Sequence, residues 1–277
     1  MRQQVLDFPV SARCRFETFV VCTGNRTAHD FAQRLLAPDS AENLLYLYGP
    51  AGSGKTHLLL ALKERLARQA GTPGFSHLSF RELNLPAIGE PELAPLLGEA
   101  PALLVDDIHL LPPLSSLHTQ LWQIFNDYYG EGRKIVVTGL YPPRELPGFD
   151  DHLVSRLLWG LVAKVDVSDD ESRRMIMKKL AADRQVFVPA EVIDFLLTHS
   201  GRDLPSLIEA LEQLHHLALA EKRRITLRLA RQALGAETAG TGGDLPQGEE
   251  YDEPETDRRG ADRGAEHPPG GEPEGTS

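Results

Sequence analysis

The sequence predicts an α/β fold, a three-layer domain on a parallel sheet, followed by a small all-helical lid and a disordered acidic tail. Three observations point there. Short, nearly continuous apolar runs alternate with amphipathic helical patterns as far as residue 167. Beyond that point the strand-like runs cease and helical periodicity continues to about residue 235. Residues 236–277 then hold 12 acidic and 3 basic residues, abundant Gly and Pro, and Tyr251 as their one aromatic. Such a segment has too little apolar surface to offset the entropy of ordering.

The strand runs are Leu44–Tyr48, His77–Phe80, Ala102–Val105, Lys134–Thr138 and Leu161–Val167. They lack polar alternation, as strands covered on both faces of a parallel sheet do. A helix over about Thr56–Arg68 places Leu58, Leu59, Leu62 and Leu66 on one side. Another follows Pro112-Pro113, sets Leu117, Leu121, Ile124, Phe125 and Tyr128 at helical spacing, and stops at Gly130. Ser168-Asp169-Asp170-Glu171 has the spacing of a capping box with Ser168 at the cap, opening a helix through about Arg184. Helical patterns then cover 189–199, 204–221 and 227–234. The expected organisation is an arm over 1–13, an α/β domain over 14–167, a helical lid over 168–235 and the tail.

Net charge is −11, of which the tail carries −9, leaving −2 for residues 1–235. Averaged this way, neither part has the basic stripe that duplex DNA binding normally needs. No run approaches the roughly 18 apolar residues of a membrane span. The N-terminus, MRQQVLDFPV, lacks the apolar run of a signal peptide. Cys14 and Cys22 fall short of a disulfide framework or a zinc set, so a reducing cytoplasm is the expected compartment.

Gly49-Pro50-Ala51-Gly52-Ser53-Gly54-Lys55-Thr56 fits G-x-x-x-x-G-K-[ST], after a strand run and before a helix. Glycines let backbone N–H groups approach phosphates, and the helix N-terminus favours their charge. Lys55 reaches the β- and γ-phosphates and the Thr56 hydroxyl ligates Mg²⁺ in such a loop. Ala102–Val105 ends in Asp106-Asp107. Alone, two Asp after a strand mark a turn. Downstream of a complete P-loop, Asp106 suits Mg²⁺ and Asp107 the orientation or deprotonation of an attacking water. His109 and His215-His216 have no carboxylate or Cys at metal-ligand spacing and are expected to be ordinary structural histidines.

In series, these motifs resemble the DnaA branch of the AAA+ ATPases over nearly all of residues 14–235. Phe16–Val21 followed by Asn25-Arg26 looks like that family's entry motif beside the adenine. Phe125-Asn126 resembles the helix between Walker B and sensor 1, and Val136–Gly139 with Pro143–Leu146 resembles the sensor 1 strand and its exit. Leu153–Leu157 with Trp159–Leu161 resembles box VII, whose arginine, here Arg156, acts as a finger on a neighbouring subunit's nucleotide. The resemblance implies ATP or ADP with Mg²⁺ as ligand, held by Gly49 through Thr56 together with His57, Phe19 and Asn25.

Two positions depart from the pattern: Leu140 stands where the family has its sensor 1 acidic residue, and Pro205 where it has its sensor 2 arginine. Arg202 is the nearest basic substitute for the latter. Nucleotide binding with slow intrinsic hydrolysis is therefore expected. The lid gives way to the acidic tail where DnaA proper continues into a helix-turn-helix domain, which resembles the Hda group of regulators built on the ATPase core alone. Gln3, Leu6 and Phe8 fit Q-x-x-L-x-F, the peptide with which replication proteins dock on the DNA polymerase III sliding clamp (its β subunit). The implied partners are DnaA, that clamp, and AAA+ homo- or hetero-oligomers, with no duplex-DNA-binding domain and no membrane. A helicase-loader-type adaptor and a non-catalytic DnaA paralogue that caps oligomers are the alternative readings.

Overall fold

Five parallel strands form one sheet in the order β2-β3-β4-β1-β5: β1 Leu44–Tyr48, β2 Leu78–Ser79, β3 Ala102–Asp106, β4 Lys134–Gly139 and β5 Leu161–Lys164. The computed structural model describes residues 14–72, 75–83, 91–97, 100–113, 115–201 and 203–235. Gln3, Leu6 and Phe8, Arg202 and the 236–277 segment lie outside the described residues.

Register is set by the central pair, with Leu44 opposite Ile135 and Tyr48 opposite Gly139. Alternation along each strand sends side chains to both faces, and each face has its own helical cover. On one side Leu44, Tyr46, Leu103, Val105, Ile135 and Val137 pack with α4, Ser116–Gly130, through its Leu117, Leu121 and Phe125. On the other, Leu45, Leu47, Leu104 and Val136 pack with Ala28, Ala32 and Leu35 of α1 (Arg26–Leu36) and Leu58, Leu59 and Leu62 of α2 (Lys55–Gln69). Burial on both faces is why the strand runs read as continuously apolar. Short helices α3, Leu93–Leu97, and α5, Asp151–Leu157, complete the α/β part.

Four helices follow: α6 Asp170–Asp183, α7 Ala190–His199, α8 Leu204–Ala220 and α9 Leu227–Ala233. Their core gathers Met177, Val192, Ile193, Leu196, Leu207, Leu211, Leu214 and Leu229. The expected cap moves by one residue. Asp169, not Ser168, is the N-cap of α6, its side chain accepting from Ser172 N at 2.8 Å. Ser168 N is already committed to Asp166 Oδ1 at 3.0 Å, a local turn that delays the helix. The run Leu161–Val167 is likewise strand only to Lys164, after which the chain turns toward the lid. Among the described residues no helix is long and apolar enough to cross a membrane.

Candidate functional site

The loop Gly49–Gly54 joins the C-terminal end of β1 to the first turn of α2. Gly49, Gly52 and Gly54 have φ of 148°, 73° and 102°, a region that side chains with a Cβ rarely enter. Space requires glycine as well: a Cβ on Gly49 would strike the Val165 carbonyl, and one on Gly52 the ring of Pro205. Lys55 is buried and its Nζ donates to the carbonyls of Gly49 at 2.8 Å and Pro50 at 2.7 Å. Burial lowers the Lys55 pKa, while the neighbouring carboxylates of Asp107 and Asp106 act against that shift. Ser53 Oγ is buried without a hydrogen-bond partner. A buried cation held by loop carbonyls, an unpaired buried hydroxyl and a helix N-terminus in one loop fit a polyphosphate.

Asp106 closes β3 beside this loop. The Thr56 hydroxyl donates to its Oδ2 at 2.9 Å, and the Thr138 hydroxyl, from β4, donates to its Oδ1 at 2.5 Å. Thr138 Oγ1 also accepts from the backbone N–H of Asp107 at 2.9 Å, so one hydroxyl orients both acids. Asp107 is left-handed at φ 55°, and its Oδ2 accepts from Arg81 Nε at 2.8 Å. Thr56 and Asp106 together form a hydroxyl–carboxylate pair of hard oxygen donors suited to Mg²⁺. His109 Nδ1 lies 3.9 Å from Asp107 Oδ1, and burial lowers its pKa. Among the described residues no group of three or more His, Cys, Asp or Glu is placed to hold a metal by itself.

The family model of the bacterial DnaA ATPase domain matches residues 10–164, and that of the Hda lid domain matches residues 170–234. The chain belongs to the DnaA ATPase family. It is 31% identical over 232 residues to the chromosomal replication initiator protein DnaA of Symbiobacterium thermophilum, covering 81% of this chain and 51% of that protein. The chain thus spans about half the length of this curated relative. Domain III of the Thermotoga maritima DnaA is similar at a TM-score of 0.69 and 27% identity, over 83% of this chain and 98% of that one. AMPPCP-bound DnaA from Aquifex aeolicus shares the fold at a TM-score of 0.61 and 24% identity, over 76% and 69% of the two chains.

In this DnaA-family chain the P-loop floors a cleft of about 480 Å³. Thr18, Phe19, Val20 and Asn25 line one side, and Ile176, Lys179, Leu180 and Ile208 of the lid line another. Phe19 stacks on His29 at 6.1 Å and meets His57 edge-on at 5.3 Å. Asn25 lines the cleft but shapes it rather than offering polar atoms: its Oδ1 accepts from Cys22 N at 2.7 Å and its Nδ2 donates to the Val20 carbonyl at 2.9 Å. His57 Nε2 is taken up by the Arg15 carbonyl at 2.9 Å. Pro205 packs over Gly52 and closes that end of the cleft with an apolar ring. Leu140 is half-buried and is not among the residues lining the cleft.

Arg156, in α5, does not line this cleft either. Its Nε donates to Asn126 Oδ1 at 2.9 Å, and its guanidinium lies 3.9 Å above the Trp159 ring. Trp159 and Leu158 beside it are exposed. Sequence reasoning missed Arg81 and the role of Thr138. Thr138 leaves one signal, a hydroxyl in an otherwise apolar strand. Arg81 leaves none, since it meets Asp107 across 26 residues of sequence.

Proposed function

We propose that this chain binds ATP or ADP with Mg²⁺ in the P-loop cleft and regulates initiation of chromosomal replication. On this reading it docks on the sliding clamp through Gln3, Leu6 and Phe8. It then inserts Arg156 into the nucleotide site of ATP-bound DnaA and promotes hydrolysis there. One observation carries the proposal: Arg156 is held by Asn126 and Trp159 on an exposed apolar face, away from the chain's own nucleotide cleft. A guanidinium stacked on an aromatic is pre-organised, and loses less freedom when it reaches a partner's phosphate. Such a finger is worth about 10³–10⁵ in rate.

Within its own cleft, Lys55 and the loop N–H groups bind and orient phosphate, and Thr56 and Asp106 hold Mg²⁺, which supplies neutralisation of charge on the transferring group. Asp107 is the group placed to accept a proton from water. With Leu140 and Pro205 at the two sensor positions, intrinsic turnover is slow. The AMPPCP ligand of the Aquifex aeolicus DnaA supports the nucleotide part of this reading.

The test is single-turnover hydrolysis by ATP-loaded DnaA with clamp-loaded DNA, adding wild-type chain or Arg156→Ala. Acceleration by the wild type that the variant loses at least a hundredfold supports the finger. Equal stimulation by both proteins would sink it and favour a paralogue that caps DnaA oligomers.

A further inference from the structure

Arg156 stands in the last turn of the short helix α5, and its side chain is rich in rotamers. Two neighbours restrict it, and they restrict different things. The Trp159 ring lies 3.9 Å from the guanidinium carbon. An aromatic quadrupole attracts a cation over a wide range of rotations, so this contact fixes position but not orientation. Asn126 Oδ1 accepts from Arg156 Nε at 2.9 Å. A hydrogen bond is directional, so this contact decides which edge of the guanidinium faces outward.

Both supports trace back to α4. Phe125, next to Asn126, is buried in the core on this side of the sheet. Its ring stacks on that of Tyr129 at 6.0 Å, and Tyr129 in turn meets the Trp159 ring at 4.9 Å. The Tyr129 carbonyl accepts from Asn43 Nδ2 at 3.4 Å, directly before β1. Asn126 and Tyr129 are three residues apart and so lie on one face of the helix. One well-anchored helical face thus holds the hydrogen-bond acceptor and, through Tyr129, the ring.

We propose that Asn126 is the positioning residue of the finger, committing Nε–H so that Arg156 meets a partner's phosphate end-on through its two terminal nitrogens. This role rests on the finger reading of Arg156 given above. A guanidinium has five N–H groups and no acceptor, so the Asn126 amide must present its oxygen to it. With Nε–H taken, the remaining four lie on the terminal nitrogens, whose fork matches two oxygens of a phosphate. Without Asn126, the fork of Nε with one terminal nitrogen competes, and it points the charge along a different direction. The acceptor is also neutral. A carboxylate in its place would hold the same N–H while cancelling charge that the transferring phosphoryl group draws on.

Single-turnover hydrolysis by ATP-loaded DnaA, titrated with the full chain in the presence of clamp-loaded DNA, tests the role. Asn126→Leu keeps the approximate shape and removes the acceptor. Asn126→Ala removes it without adding bulk and replaces the leucine variant if a thermal melt shows that one unfolding early. We expect the hydrolysis rate at saturation to fall about ten- to a hundredfold, the cost of a finger misplaced by about 1 Å. The concentration giving half-maximal stimulation should stay unchanged, because Asn126 is not assigned to the binding contact. In an Arg156→Lys background, whose side chain has no N–H at the Nε position, Asn126→Leu should cost nothing further. A saturated rate within twofold of wild type for Asn126→Leu, with Arg156→Ala still inactive, would overturn the positioning role and leave the finger standing. A shifted half-maximal concentration with an unchanged saturated rate would also overturn it, assigning Asn126 to the DnaA contact. The same loss in the Lys background would reduce Asn126 to a structural support. Equal stimulation by Arg156→Ala and wild type would instead remove the finger reading itself.

Discussion

Asp107 is constrained from three directions: a left-handed backbone, an N–H donated to Thr138, and a carboxylate paired with Arg81. The Arg81 side chain is 66% exposed, so the pair is weak and, on the proposed role of Asp107, can open for the attacking water. An exposed pair worth about 0.2–1 kcal/mol restrains turnover by about 1.4- to 5-fold. Arg81→Ala should therefore raise basal ATP turnover by that factor with nucleotide affinity nearly unchanged; a fall in turnover would show that Arg81 assists the reaction instead. Asp107→Asn should lower hydrolysis by about 10²–10⁴ while retaining nucleotide, the range for loss of a general base. Lys55→Ala should lose binding itself by about ten- to a hundredfold, since it removes charge-assisted hydrogen bonds to phosphate. Titration with a fluorescent ATP analogue separates these two variants from one another. The P-loop and the Asp pair were readable from sequence because their spacing is local. Thr138 and Arg81 were not, because they reach Asp106 and Asp107 across 32 and 26 residues.

At the scale of elements, the strands were legible because burial on both faces leaves an uninterrupted apolar run. Helix α1 went unread although its Ala28, Ala32 and Leu35 are fully buried, because two of those three core contacts are alanines and Phe31 and Leu36 are only partly buried beside them. The entry to α6 shows a subtler limit. Ser168 and Asp169 both have cap chemistry, and only the turn at Asp166 decides between them. Asp169→Ala should cost about 1 kcal/mol in urea denaturation, whereas Ser168→Ala should be nearly neutral. Asp166 has its own signature. Its pKa is held at about 2, first by the hydrogen bond from Lys164 and then by those from Ser168. A depressed folded-state pKa stabilises above the unfolded value near 3.8, and that contribution is lost as pH falls toward 2. Wild type should thus exceed Asp166→Asn in stability at pH 6 by less than about 1 kcal/mol, since Asp166 is half-buried but its partner Lys164 is exposed and screened by water. The difference should vanish between pH 4 and pH 2, and a gap that persists at pH 2 would argue for a packing effect.

At the scale of the molecule, the fold was readable as a series of motifs because each is local in sequence, whereas contacts between distant segments were not. The same distinction governs the proposed tether. Gln3, Leu6 and Phe8 are close in sequence to the first described residue, Cys14, so a clamp bound there would hold the ATPase domain within a short linker's reach. A short link creates an effective concentration on the order of millimolar for a second partner on the same DNA. The tether and the finger then make separable contributions: one sets encounter, the other sets the rate once the subunits meet. Leu6→Ala/Phe8→Ala should weaken clamp binding at least tenfold, as loss of two apolar anchors implies, and should abolish stimulation of DnaA hydrolysis at nanomolar protein. Raising the variant to a concentration that saturates DnaA directly should restore stimulation, whereas no concentration of Arg156→Ala should do so. If the double variant fails at every concentration, the N-terminal residues act in the DnaA contact itself. If the wild type does not bind clamp at all, encounter must come from another partner, and the finger alone has to account for regulation.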